Sequence, residues 1–249
     1  MTMSTAKENL KYWVIIYLFI FISGYGIFKI VEDEINFLQK DKRIKRELAL
    51  QLKKDEGFRS CPYRDSSGLL TVGHGHVLKG EKDLWMLACI DESEATRVLE
   101  EDIDEKYDDL EKLDTRYVQK LSEEKLRGIL GFQFNIGTNA YKSSTAHKLF
   151  NKVFLKNPEY LECSSVEKVL FLTQKELSSL RRNCKKNADK VECKQLKILG
   201  SRNKLKNSIK AWNKATVRGR LTVEGGLITR RAREMELIIP SCENRGEKF

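Results

Sequence analysis

The chain has 249 residues, room for one sizeable domain with an appendage or for two small domains. Its 41% hydrophobic and 33% charged residues are ordinary for a globular protein, and no segment is low-complexity enough to read as disordered. A formal net charge of +10 draws it to polyanions, whether nucleic acid, anionic lipid or the acidic polymers of a bacterial envelope, and charge alone does not choose among these.

The N-terminus carries a targeting signal. After a short tail (1–11), Tyr12 to Phe28 are uncharged and mostly Ile, Phe, Leu, Val and Tyr. Snorkelling of Lys29 extends the run to residue 31, close to the roughly 20 residues that a membrane helix needs. Tyr12, Trp13 and Tyr25 suit the interfaces. No A-x-A-like cleavage site follows, so a single membrane helix or uncleaved anchor over 12–31 is expected. Orientation is contested: Lys7 and Lys11 precede the run, whereas Lys40, Lys42, Arg43, Lys45 and Arg46 follow it, which favours a cytoplasmic bulk.

Residues 32–43 are polar and read as a linker. From Ile44 the spacing of Ile44, Leu48 and Leu52 predicts a helix, and Gly57 stops it, so that Glu56 falls in or just after its last turn. Cys61-Pro62-Tyr63-Arg64, the turn Asp65-Ser66-Ser67-Gly68 and the strand 69–72 then predict one small β-hairpin, ending in Gly73-His74-Gly75-His76. Beyond it the chain reads as helical. Asp91 with Glu94 forms a capping box, and Ser122 caps a helix that closes at Gly137. A last helix runs from about Arg230 to Ile239 before Pro240. The class is α+β, mainly helical with a small hairpin lobe. Between 151 and 210 lie 15 basic and 6 acidic residues, a net of +9; a solvated helical insertion is the plain reading.

The six cysteines (Cys61, Cys89, Cys163, Cys184, Cys193, Cys242) show no CxxC or other metal-ligand spacing. Export favours disulfides, and Cys184 with Cys193, bracketing a short Lys- and Asn-rich loop, is the best candidate for a local bridge. His74 and His76 share a strand face but have no third ligand in view, and only His147 remains elsewhere. No metal or cofactor is expected.

Glycosidic bond cleavage needs an acid for the leaving oxygen and a second carboxylate across the bond. Glu56 at a helix end and Asp65 at a hairpin turn can face each other across a groove, in environments able to push their proton affinities apart. Thr71, on the returning strand, can bring a hydroxyl to the same space.

The segment Glu56-Gly57 … Tyr63-Arg64-Asp65-Ser66-Ser67-Gly68 … Thr71-Val72-Gly73-His74-Gly75-His76 resembles the catalytic motif of the phage-type lysozymes, the endolysins of glycoside hydrolase family 24. Phe132-Gln133-Phe134-Asn135-Ile136-Gly137 and Gly226-Leu227-Ile228-Thr229-Arg230-Arg231 with Glu234 are similar to further motifs of that family, in the same order. The resemblance runs from about Ile44 to Ile239, around the basic insertion. It implies a lysozyme-like domain over 44–240, followed by a tail at 241–249, that hydrolyses peptidoglycan between N-acetylmuramic acid and N-acetylglucosamine. Glu56 would be the general acid, with Asp65 and Thr71 positioning or activating the water, and inversion is the expected outcome. Asn135 and Arg230 match positions that face the substrate cleft, and Trp212 would be an aromatic wall. His76 would be structural, paired with Asp102.

A membrane helix ahead of such a domain resembles the signal-anchor endolysins, which places the domain in the periplasm on the inner membrane and suggests a monomer. Those anchors are rich in Gly and Ala, whereas this one offers only Ser23, Gly24 and Gly26, so permanent anchoring stays open beside release. The competing class is a membrane-anchored peptidoglycan-binding protein without turnover, for which the full Glu56, Asp65 and Thr71 set would have no chemical need. A nucleic-acid module on the insertion would require aromatic residues among the basic ones; only Phe154, Tyr160 and Phe171 occur there, and none sits in a basic cluster.

Overall fold

The computed structural model describes the backbone of residues 3–65, 68–217 and 220–242, and the side chains of 27–65, 68–214 and 222–242. The chain divides into two units, Met1–Arg43 and Ile44–Phe249. The first is the bulk of helix α1 (Met3–Glu56). The expected membrane segment at 12–31 falls mostly on residues outside the described side chains; among the described residues no helix is long and apolar enough to cross a membrane. The expected linker at 32–43 is helical. Its sequence has neither Gly nor Pro and is rich in Glu, Lys, Arg, Gln and Leu, all good helix formers.

The second unit begins where α1 acquires an apolar face: Ile44, Leu48 and Leu52 are buried at the predicted four-residue steps. Gly57 ends the helix. Its φ of +70° turns the chain and its N–H donates back to the Lys53 carbonyl at 3.0 Å. Three antiparallel strands follow, β1 (Arg59–Arg64), β2 (Leu70–Gly73) and β3 (His76–Val77), in that order. One expected hairpin is therefore a three-stranded sheet, because Gly73 and Gly75, both at positive φ, let the chain fold back once more and pair Val72 with His76. Its inner face packs Val72 against Met86, Ile90, Ala95 and Val98. The Cys61–Cys89 disulfide ties β1 to the end of the 3₁₀ segment Glu81–Ala88.

Helices follow: α2 (Glu92–Leu113), α3 (Arg116–Lys120), α4 (Glu123–Ile136), α5 (Thr138–Ser143), α6 (Thr145–Leu149), α7 (Glu167–Leu170), α8 (Gln174–Cys184) and α9 (Val191–Lys210). Asp91 and Glu94 form the reciprocal capping box that their spacing predicts. Ser122 occupies the N-cap of α4, but its side chain makes no capping bond. Leu126, Ile129, Leu130 and Phe132 of α4 are fully buried, in a core completed by Tyr117, Tyr141, Phe150, Phe154, Leu205, Ile209 and Ile238.

A second hairpin, β4 (Lys214–Val217) with β5 (Arg220–Val223), corrects the expectation of an all-helical remainder. Its signal was the β-branched content of Thr216, Val217, Thr222 and Val223. The last helix, α10 (Gly225–Ile238), starts five residues earlier than Arg230, its two glycines lying in the exposed first turn. It packs on α4 at Gly128, where an added Cβ would lie 2.8 Å from Ile238 Cγ1 and 3.1 Å from the Glu234 carbonyl. That close approach fixes where Arg230 and Arg231 point. Cys163–Cys242 and Cys184–Cys193 complete the disulfides, the latter as the spacing suggested.

Candidate active site

Glu56 is the last residue of α1, so its side chain leaves the helix where the backbone turns at Gly57. Two neighbours hold it. The Arg230 guanidinium donates through Nη1 to Oε1 at 2.8 Å. Gly75 presents bare backbone to the other oxygen, and a Cβ there would stand 3.5 Å from Oε2. The glycine of the strand-end motif thus leaves room for the carboxyl. His74 fastens the same corner: its Nδ1 lies 2.6 Å from the Gly57 carbonyl, which makes it the N–H donor, and its ring leans on Phe58.

Asp65 builds its own turn. Its N–H donates to the Leu69 carbonyl and its Oδ1 accepts the Leu69 N–H, both at 2.9 Å, while its carbonyl accepts from Gly68. Asp and Gly are the residues such a turn demands, which is why this stretch was legible. Thr71 sits on β2 opposite Tyr63 of β1 and Val77 of β3; it is buried and donates its hydroxyl to the Leu69 carbonyl at 3.2 Å. Asp65 and Thr71 therefore share one hairpin, both hydrogen-bonded to Leu69.

The α10 motif is a charge network. Arg233 Nη1 donates to both oxygens of Asp55 at 2.9 Å, and Arg230 Nε lies 3.8 Å from the same carboxylate. Arg231 is buried over the Phe132 ring, donates to Asn135 Oδ1 at 2.6 Å and pairs with Glu234 at 2.8 Å. Burial pushes the Glu234 carboxyl up to about 7 and pulls Arg231 down to about 10. Asn135 is thus anchored to the residue next to Arg230, which joins the two motifs of α4 and α10. Asp55, Arg233 and the anchoring roles of Arg231 and Glu234 were missed in the sequence. Their only signal was adjacency to Glu56 and membership of a quoted motif.

His76 pairs with Asp102 as expected, Nδ1 to Oδ2 at 2.7 Å. A second carboxylate, Asp83, stands 3.6 Å from Nε2. Burial disfavours the imidazolium, but Asp102 and then Asp83 outweigh it and hold His76 above its ordinary value. Trp212 is exposed in the turn after α9, and no hydrogen bond or ring contact joins it to Glu56, Asp65 or Thr71 among the described residues. The same residues contain no cluster of three or more His, Cys, Asp or Glu fit for a metal ion.

No curated protein matches this chain. Solved structures are similar to it at low identity. The endolysin from Escherichia coli O157:H7 phage FAHEc1 is 19% identical with a TM-score of 0.45, over 78% of this chain and 91% of that one. The muramidase domain of SpmX from Asticaccaulis excentricus is 19% identical with a TM-score of 0.47, over 78% and 95%. The active form of the P1 phage endolysin Lyz is 14% identical with a TM-score of 0.46, over 84% and 96%. The assignment rests elsewhere, on the phage lysozyme family model, which matches residues 53–187. That span is more than half of the chain and takes in Glu56, Asp65, Thr71, His76, Asp102 and Asn135, while α10 lies beyond it. The chain belongs to the phage lysozyme family.

Proposed function

We propose that this protein is a muramidase, a peptidoglycan hydrolase that cleaves between N-acetylmuramic acid and N-acetylglucosamine with inversion. The observation that carries the reading is Glu56: a carboxyl at a helix end, backed by the bare Gly75 backbone and oriented by Arg230, in a chain whose next element is the Asp65–Thr71 hairpin. Glu56 gives its proton to the glycosidic oxygen as the C1–O bond breaks. Water attacks C1 from the opposite face, positioned by Asp65 and Thr71, and its proton passes to Asp65. Arg230 stabilises the Glu56 carboxylate that proton transfer leaves behind. Asn135, held by Arg231, and Arg230 border the substrate; Trp212 supplies an aromatic wall; His76 with Asp102 keeps the sheet in place. No cofactor is needed.

The 12–31 run anchors the protein in the inner membrane with the domain in the periplasm. The pairing of all six cysteines supports an oxidising compartment. Digestion of isolated peptidoglycan tests the reading: fragments with hydrated reducing ends of the α-anomer, formed first, are expected. Anhydro ends would make the enzyme a transglycosylase. No fragments, with the folded protein bound to the wall, would leave the binding-only reading.

A further inference from the structure

The insertion carries most of the chain's net charge, and its charge is not spread evenly. The Cys184–Cys193 disulfide brings the end of α8 to the start of α9. The Lys168 N–H donates to the Gln195 side chain at 2.9 Å, and Lys168 Nζ lies 3.6 Å from Glu192, which sets α7 against that same start of α9. Three segments thus converge on one tip. Arg181, Arg182, Lys185, Lys186, Lys190 and Lys194 are exposed there, and among the described residues no ion pair engages them. Of the nearby carboxylates, Glu176 is held in its own capping box with Thr173 and Glu192 by Lys168; Asp189 in the loop and the exposed Glu167 at the start of α7 remain.

Two large apolar side chains stand out of this basic tip: Phe171, 72% exposed at the end of α7, and Val191, 52% exposed at the first turn of α9. A solvated basic loop has no use for them. A single-stranded nucleic acid can stack a base on Phe171, but neither it nor a wall glycopolymer gains from the aliphatic Val191 beside the lysines. A lipid surface rewards both, because anionic headgroups attract the lysines while the ring enters the headgroup–acyl boundary. We propose that this tip is a second membrane contact, docking on anionic lipid through Lys185, Lys186 and Lys190 with Phe171 as the inserted residue. The contact is independent of Glu56 and of the catalytic reading.

The test uses the full chain carrying Phe171→Trp, with the emission of the unsubstituted protein subtracted so that Trp13, Trp85 and Trp212 cancel. Vesicles contain brominated phosphatidylcholine alone or with about 30% phosphatidylglycerol, an anionic content that gives a strongly negative surface. The added tryptophan is expected to shift to the blue and be quenched only in the anionic vesicles. The combined Lys185→Glu, Lys186→Glu and Lys190→Glu substitutions should lower that response at least tenfold at constant helicity by circular dichroism. Absence of quenching, or equal quenching in both vesicles, overturns the proposal. So does a response to soluble DNA or teichoic acid with none to anionic vesicles, which would assign the tip to a polymer.

Discussion

Replacing Glu234 with Gln should change the pH dependence of stability in a defined direction. Glu234 is buried beside Arg231, and burial raises its carboxyl from 4.5 to about 7. At about 1.4 kcal/mol for each tenfold change in proton affinity, the folded state's preference for the protonated form is worth about 3 kcal/mol, an order-of-magnitude figure. Because the folded value lies above the unfolded one, that stability is fully present below pH 4.5 and is lost as pH rises to about 7 and beyond. Gln mimics the protonated acid at every pH. The difference in unfolding free energy, wild type minus Glu234→Gln, should therefore fall by about 3 kcal/mol between about pH 4 and pH 8. Urea unfolding followed by circular dichroism, with the disulfides intact, measures it. Parallel profiles would show that Arg231 balances burial, and a difference that grows with pH that it outweighs burial; either result contradicts the raised value.

Gly128→Ala should cost about 1–3 kcal/mol by overpacking α10 against α4, and it should lower lysis by more than the lost folded fraction because Arg230 moves with α10. His76→Asn should lower the melting temperature most at acidic pH. The contribution of the His76–Asp102 pair is complete below 6.5 and vanishes as pH rises through the raised folded value; an unchanged melting profile with lost activity would contradict the structural role. Replacing Cys184 and Cys193 together by Ser opens a loop of only 9 residues' separation, so about 2–3 kcal/mol should be lost with wall lysis retained. Full activity loss in that pair would place the insertion in the catalytic machinery.

The parts of the site legible in the sequence are those with local rules. Gly57 stops a helix, Asp65 with Gly68 builds a turn, and a short stretch with β-branched Thr71 and Val72 between turn residues marks a strand, so Glu56, Asp65 and Thr71 could be assigned to their elements from local pattern. The α10 network could not, because it depends on two helices meeting at Gly128, roughly a hundred residues before Arg230. Arg230 read as a substrate contact because its motif says nothing of Glu56, whose carboxyl it grips across the fold. Asp83 was invisible for the same reason: nothing in Glu81–Ala88 announces that its backbone folds over His76. The second hairpin was missed by giving the β-branched residues after Trp212 too little weight beside a long helical run.

The most direct measurement compares the wild-type chain with Glu56→Gln on isolated peptidoglycan, following turbidity and confirming by circular dichroism that both fold alike. Clearing by the wild type and loss of at least about a hundredfold in the variant is expected for a general acid. Undiminished clearing by folded Glu56→Gln would remove Glu56 from the acid role, and with it the central claim.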